Sequence, residues 1–133
     1  MNNIQITNNL QSPIYNNQRF RERNLEVRTL EFTRGILRLC KKLPKNTLTI
    51  ELIRQIIRSA GSVGANYREA NEKLSKRDFA HRMRIARKEA KETTYWLEVL
   101  QEATPEFTAE LAPLTQESLE LRNIFSAILV KSV

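Results

Sequence analysis

Three glycines and four prolines among 133 residues leave few places where the chain can turn, so long elements with short connections are expected. One cysteine, Cys40, excludes an internal disulfide framework or a thiolate cluster within one chain. It falls on an apolar stripe with nothing nearby to lower its pKa, and a buried structural thiol is expected. No apolar run approaches the ~20 residues of a membrane span, and the polar N-terminus does not read as a signal peptide. A soluble cytoplasmic protein with no membrane partner is therefore expected. The single histidine, His81, also limits the chemistry. Di-iron bundle sites use one Glu from each of two helices and a Glu-x-x-His from each of two others. Here the carboxylate pairs are Glu69-Glu72 and Glu89-Glu92, with no histidine beside them. No Ser-His-Asp or Cys-His set can be assembled either, so neither an enzyme, a metal site nor a cofactor is expected.

Acidic residues are scarce in the first two thirds of the chain. Residues 1–91 hold 20 Lys and Arg against 8 Asp and Glu, a charge of +12, whereas residues 92–133 hold 2 against 7, a charge of −5. The whole chain carries +7 with an isoelectric point near 9.9. Such polarised charge is the electrostatic footprint of a polyanion partner, nucleic acid first among them. The alternative is a basic surface that serves only solubility.

Residues 1–20 are rich in Asn and Gln without a period, and a mobile arm is expected there, followed by a helical domain over 21–133. Four segments then carry apolar residues at helical spacing. The first, from about Leu25 to Leu43, aligns Phe32, Ile36, Leu39 and Leu43, with Leu30 and Leu37 beside them, and stops at Pro44. The second, from Thr49 as N-cap to Leu74, aligns Ile53, Ile56, Ala60, Val63, Tyr67, Ala70 and Leu74. The third opens with Ser75 as N-cap and Asp78 at the returning position, and aligns Phe79, Met83, Ala86, Ala90, Thr93, Leu97 and Leu100. The fourth starts near Pro113, as a first-turn proline can, with Leu114, Leu121, Phe125 and Ile128 inward. The fold class expected is all-α, an antiparallel up-and-down four-helix bundle.

Gly61 and Gly64 interrupt no period, although each disfavours a helix interior by about 1 kcal/mol relative to Ala. With Ala60 and Ala65 they are expected to form a notch that receives a bulky neighbour, Trp96 or Phe79. A local kink at Gly and Ser is the alternative.

Two rows of cations run at helical spacing. On the third segment, Arg77, His81, Arg84, Lys88 and Lys91 point away from the core, with Lys76, Arg82 and Arg87 nearby. On the first, Arg34, Arg38, Lys41 and Lys45 repeat the pattern. Such rows can contact successive phosphates, with an affinity that falls with salt and little base selectivity. No aromatic residue is interleaved with them, so structured RNA or duplex read by shape is expected rather than single strands. The polar residues Arg54, Arg58, Asn66, Glu69, Glu89 and Glu92 flank the seams of the second and third helices, where ion pairs and hydrogen bonds between helices or subunits are expected.

The motifs also resemble a known family. Arg58-Ser59, a small-residue run with Gly64, Ala65-Asn66-x-x-Glu69-Ala70, Ser75-x-x-Asp78-Phe79 and the block Lys88 to Leu97, with Glu89, Glu92, Tyr95 and Trp96, are similar to the four-helix-bundle proteins encoded in intervening sequences of bacterial 23S rRNA genes. The resemblance covers about residues 25–100. It implies an up-and-down bundle assembled as a homopentamer, with kinship to the accessory variability protein of diversity-generating retroelements, a pentameric bundle that binds nucleic acid and a reverse transcriptase. A non-enzymatic oligomer binding structured RNA such as rRNA is expected, and a scaffold docking a protein partner such as a polymerase is the alternative.

Overall fold

The structure, a computed structural model, describes residues 13–72 and 75–132, with side chains from residue 24 onward. Four helices fill it: α1 (Pro13–Lys42), α2 (Thr47–Ala70), α3 (Lys76–Ala103) and α4 (Thr108–Lys131). A 3-10 turn, Pro105–Phe107, links the last two. There is no strand among the described residues.

Three boundaries depart from those expected. α1 begins at Pro13 rather than near Leu25, entering the Asn-rich stretch, and proline suits a first helical position. The remainder of the proposed arm, residues 1–12, lies outside the described residues, as does Leu74. The N-cap of α2 is Asn46, not Thr49. Asn46 Oδ1 accepts from the backbone N–H of Leu48 and Thr49, each at 3.0 Å, while Thr49 Oγ1 accepts from Asn46 N at 2.9 Å. This is a capping box in which Thr takes the place usually held by Glu or Gln. α4 begins at Thr108, so Pro113 sits inside the helix rather than at its start. Ser75 does cap α3, its hydroxyl accepting from Asp78 N at 3.1 Å.

Each helix buries the face that its period defines. Ile36, Ile56, Ala60, Val63, Met83, Ala86, Ala90, Leu97, Leu100, Leu121 and Phe125 are fully enclosed. Leu111 and Ser118 extend the α4 stripe, while Leu30 and Leu37 stay exposed at 39% and 41%. α1 packs on α2 and α4, and α3 packs on the same two helices, so α1 and α3 occupy opposite corners and do not meet. Residue pairs give the register. Between α1 and α2 they are Thr33 with Ala60, Thr29 with Gly64, and Glu26 with Asn71. Between α2 and α3 they are Ser59 with Thr93 and Asn66 with Arg82. Buried hydroxyls pair across the seams, Thr93 with Ser59 at 2.8 Å and Thr94 with Ser118 at 2.6 Å. No buried side-chain polar atom among the described residues is left without a partner. Cys40 is buried, and burial pushes its thiol up to about 11 despite the opposing Lys45 ammonium, as an unreactive structural thiol requires.

The glycines do different work from that expected. The neighbour of Gly64 is Thr29 of α1, not Trp96 or Phe79. A Cβ at Gly64 would stand 3.0 Å from Thr29 Oγ1 and 3.2 Å from Thr29 Cβ, and Thr29 is itself fully buried and β-branched, with little freedom to yield. A Cβ at Gly61 would meet nothing within 4 Å, and Ala65 is exposed. Gly64→Ala is therefore expected to destabilise by about 1–2 kcal/mol through overpacking. Gly61→Ala should stabilise by up to about 1 kcal/mol through helix propensity. Urea unfolding of the two variants checks this, and equal shifts of the same sign would contradict it.

Candidate nucleic-acid interface

The helical repeat of α3 places Arg77, Arg84, Lys88 and Lys91 along one exposed ridge, with Lys76 at its start and Arg87 half-buried on its flank. None of these six side chains takes part in an ion pair among the described residues. No carboxylate lies within ion-pair distance of them, although the Lys88 ammonium acts at longer range on Glu92, so the ridge keeps a net positive charge toward an external anion. Between Arg77 and Lys91 the ridge runs for about 20 Å at 1.5 Å per residue. Arg82 leaves this face, because its guanidinium turns toward α2 and donates to Asn66 Oδ1 at 3.1 Å. Asn66 Nδ2 in turn donates to Ser62 O at 2.9 Å, so this pair fixes the α2–α3 seam.

The α1 row differs. Arg38 pairs with Glu31 at 2.9 Å and Arg34 with the same carboxylate at 3.7 Å. The two guanidinium groups hold the Glu31 carboxyl below its ordinary value, Arg38 foremost. Lys45 donates to the carbonyl oxygen of Cys40 at 2.7 Å and also to that of Leu43, capping the end of α1. Only Lys41 of the four is without such an engagement among the described residues. Because α1 and α3 stand at opposite corners, one protomer cannot lay both rows on the same short segment of nucleic acid.

An open depression lies on the C-terminal half of the α3 ridge, lined by Arg84, Arg87, Lys88, Lys91, Glu92 and Tyr95. Tyr95 is 57% exposed. No aromatic residue is interleaved with the cations, but Tyr95 continues their helical repeat one turn beyond Lys91 and lines the same depression. Its ring meets Trp96 edge to face, with centroids 5.0 Å apart and planes at 73°.

Behind the depression runs a polar chain. Trp96 Nε1 donates to Glu92 Oε2 at 3.0 Å. Arg58 of α2 reaches the same carboxylate and also Glu89 Oε1 at 3.4 Å. Glu89 is almost entirely buried, so Arg58 supplies the opposite charge that burial demands. The indole N–H, and then the guanidinium, hold the Glu92 carboxyl below its ordinary range and outweigh the effect of burial. These residues therefore do tie α2 to α3. Arg54 instead pairs with Glu51 within α2 at 3.9 Å, and Glu69 is exposed. Glu92→Ala is expected to lower stability at neutral pH by about 1–2 kcal/mol, since it removes the acceptor of two donors. The contribution of a carboxylate with a depressed pKa is present above its unfolded value and is lost as pH falls through its folded value. The two melting temperatures should thus converge in acid, and an unchanged melting temperature at neutral pH would contradict the assignment.

A second bridge, which the sequence did not reveal, joins α1 to α4. Arg28 Nε lies 2.6 Å from Glu117 Oε2 and Nη2 lies 2.7 Å from Glu120 Oε1, raising the guanidinium pKa. The partners are 89 and 92 residues apart, and no local pattern marks them. No group of three or more His, Cys, Asp or Glu that could hold a metal ion exists among the described residues. No described helix is long and apolar enough to cross a membrane.

Comparison with known proteins bears on what this surface belongs to. A family model described as 23S rRNA-intervening sequence protein matches residues 23–127. Among solved structures, the chain is similar to a crystal structure of a protein with unknown function from the S23 ribosomal protein family of Bacteroides thetaiotaomicron. The two are 32% identical, with a TM-score of 0.69, covering 78% of this chain and 96% of the other. No curated protein matches.

Proposed function

The chain belongs to the 23S rRNA-intervening sequence protein family, and on that premise we propose that it is a non-enzymatic nucleic-acid-binding protein whose α3 ridge holds structured RNA, 23S rRNA-like in kind. The observation that carries this reading is the ridge itself: Arg77, Arg84, Lys88 and Lys91 are exposed in a row with no ion pair among the described residues, whereas Arg34, Arg38 and Lys45 of the other row are engaged.

The bundle is read as up-and-down with antiparallel neighbours, because residue numbers along one helix fall as those of its partner rise. Assembly into a homopentamer, working in the cytoplasm, completes the reading. Exposed Val27, Leu30 and Leu37 on α1 and Leu48, Ile50 and Ile57 on α2 offer apolar surface for self-association. A ring would repeat the ridge and raise its avidity through effective concentration.

The test is purification at low salt from the native host. RNA is expected to travel with the protein, to raise its absorbance at 260 nm relative to 280 nm, and to be removed by ribonuclease. A stoichiometric protein partner with no nucleic acid would overturn this reading and favour a scaffold.

A further inference from the structure

Tyr95 is the exposed aromatic side chain among the described residues. Phe32, Tyr67 and Phe125 are buried, and Phe79, Trp96 and Phe107 pack partly buried against the core. An exposed ring needs no special role on its own, but this one shares a depression with Arg84, Arg87, Lys88 and Lys91. It is also supported from behind. Trp96 meets it in a T-shaped contact, the Trp96 indole is tied to Glu92, and Glu92 is tied to Arg58 of the neighbouring helix. A ring held this way loses little conformational freedom when a ligand settles on it.

The charge pattern along the ridge changes sign at the same place. Arg77, Arg84, Lys88 and Lys91 precede Tyr95, and exposed Glu98 and Glu102 continue the stripe beyond it. A phosphate backbone following the cations is repelled past Tyr95. Glu92 also lines the depression, but its charge is answered by Arg58. The part of a nucleotide that fits a neutral π face beside cations is the base, and an unpaired base is free to turn its face to the ring, whereas a base inside a stem is already stacked on both sides.

We propose that Tyr95 stacks an unpaired nucleobase where the cationic track ends, so that the ligand is an RNA stem that passes into a single strand at this point. This rests on the RNA-binding reading above and narrows it to a class of RNA. Stem phosphates lie along Arg77 to Lys91, and the first unpaired base rests on the phenol ring.

The experiment uses the full-length protein and two labelled two-strand RNA duplexes without loops, one blunt and one with a short single-stranded overhang carrying 2-aminopurine. Wild type is expected to bind the overhang duplex about tenfold more tightly than the blunt one and to change the 2-aminopurine fluorescence as the base stacks. Tyr95→Ala should lose that preference while binding the blunt duplex as wild type does, and Tyr95→Phe should retain it. An unchanged melting temperature of the exposed-site variants shows that the fold is intact. Equal binding of both duplexes by wild type, or a preference that survives in Tyr95→Ala, overturns the stacking proposal alone. Failure to bind either duplex at low salt overturns the RNA-binding reading with it.

Discussion

Reversing Arg84, Lys88 and Lys91 to glutamate is expected to reduce affinity for structured RNA at least about a hundredfold at moderate salt, and to flatten its salt dependence by about three phosphate contacts. The three side chains are exposed, unpaired among the described residues and gathered at one depression. The control is the matched reversal of Arg34, Arg38 and Lys41 on α1, which changes net charge by the same amount. There the expected loss is under about tenfold, because long-range attraction weakens but few local contacts are removed. Arg34 and Arg38 already face Glu31, and their helix stands at the opposite corner of the bundle. Fluorescence anisotropy with one labelled RNA distinguishes the two variants. Equal losses would mean that net charge alone governs binding and that the α3 ridge is not a site.

The second large effect concerns the scaffold that presents the ridge. Phe125→Ala is expected to destabilise the bundle by about 3–5 kcal/mol, the range for removing a fully enclosed phenyl ring. Phe125 is fully buried and stacks on Tyr67 across the core, with centroids 5.9 Å apart and planes at 26°. It therefore joins α4 to α2, two helices that the bundle places diagonally. For a domain whose total stability is about 5–15 kcal/mol, such a loss is a large fraction. Chemical denaturation measures it directly, and a loss under about 1 kcal/mol would show that the core closes without this contact.

The sequence made the helices and their buried faces legible because apolar spacing is a local property. Ile56, Ala60, Val63 and Tyr67 recur at the steps that a helix requires, and all four are buried. Ends were harder to read. The start of α1 lies in an Asn-rich stretch with no apolar period to betray it, and Pro113 resembled a first-turn proline although the helix begins at Thr108. Asn46 carries no acidic or amide signature three residues on, because its return partner is Thr49. The small residues of α2 are plain in the sequence, whereas that Gly64 makes room for Thr29 depends on how α1 lies against α2.

The candidate site was half visible. The α3 row can be counted along the chain, and the same repeat reaches Tyr95 one turn past Lys91. The neutralisation of Arg34 and Arg38 by Glu31 is also local, at spacings of three and seven residues. What spacing does not disclose is that the two basic rows face away from each other, or that Arg82 is drawn into the α2–α3 seam by Asn66. Those facts belong to tertiary packing.

Whether the α3 ridge tracks phosphates is decided by titrating a labelled, structured 23S rRNA fragment with the purified protein from about 50 to 200 mM salt. Tight binding is expected at the low end, with affinity falling steeply as a power of salt concentration. Absence of binding at the lowest salt would contradict it and leave the positive charge of α3 as a solvated face.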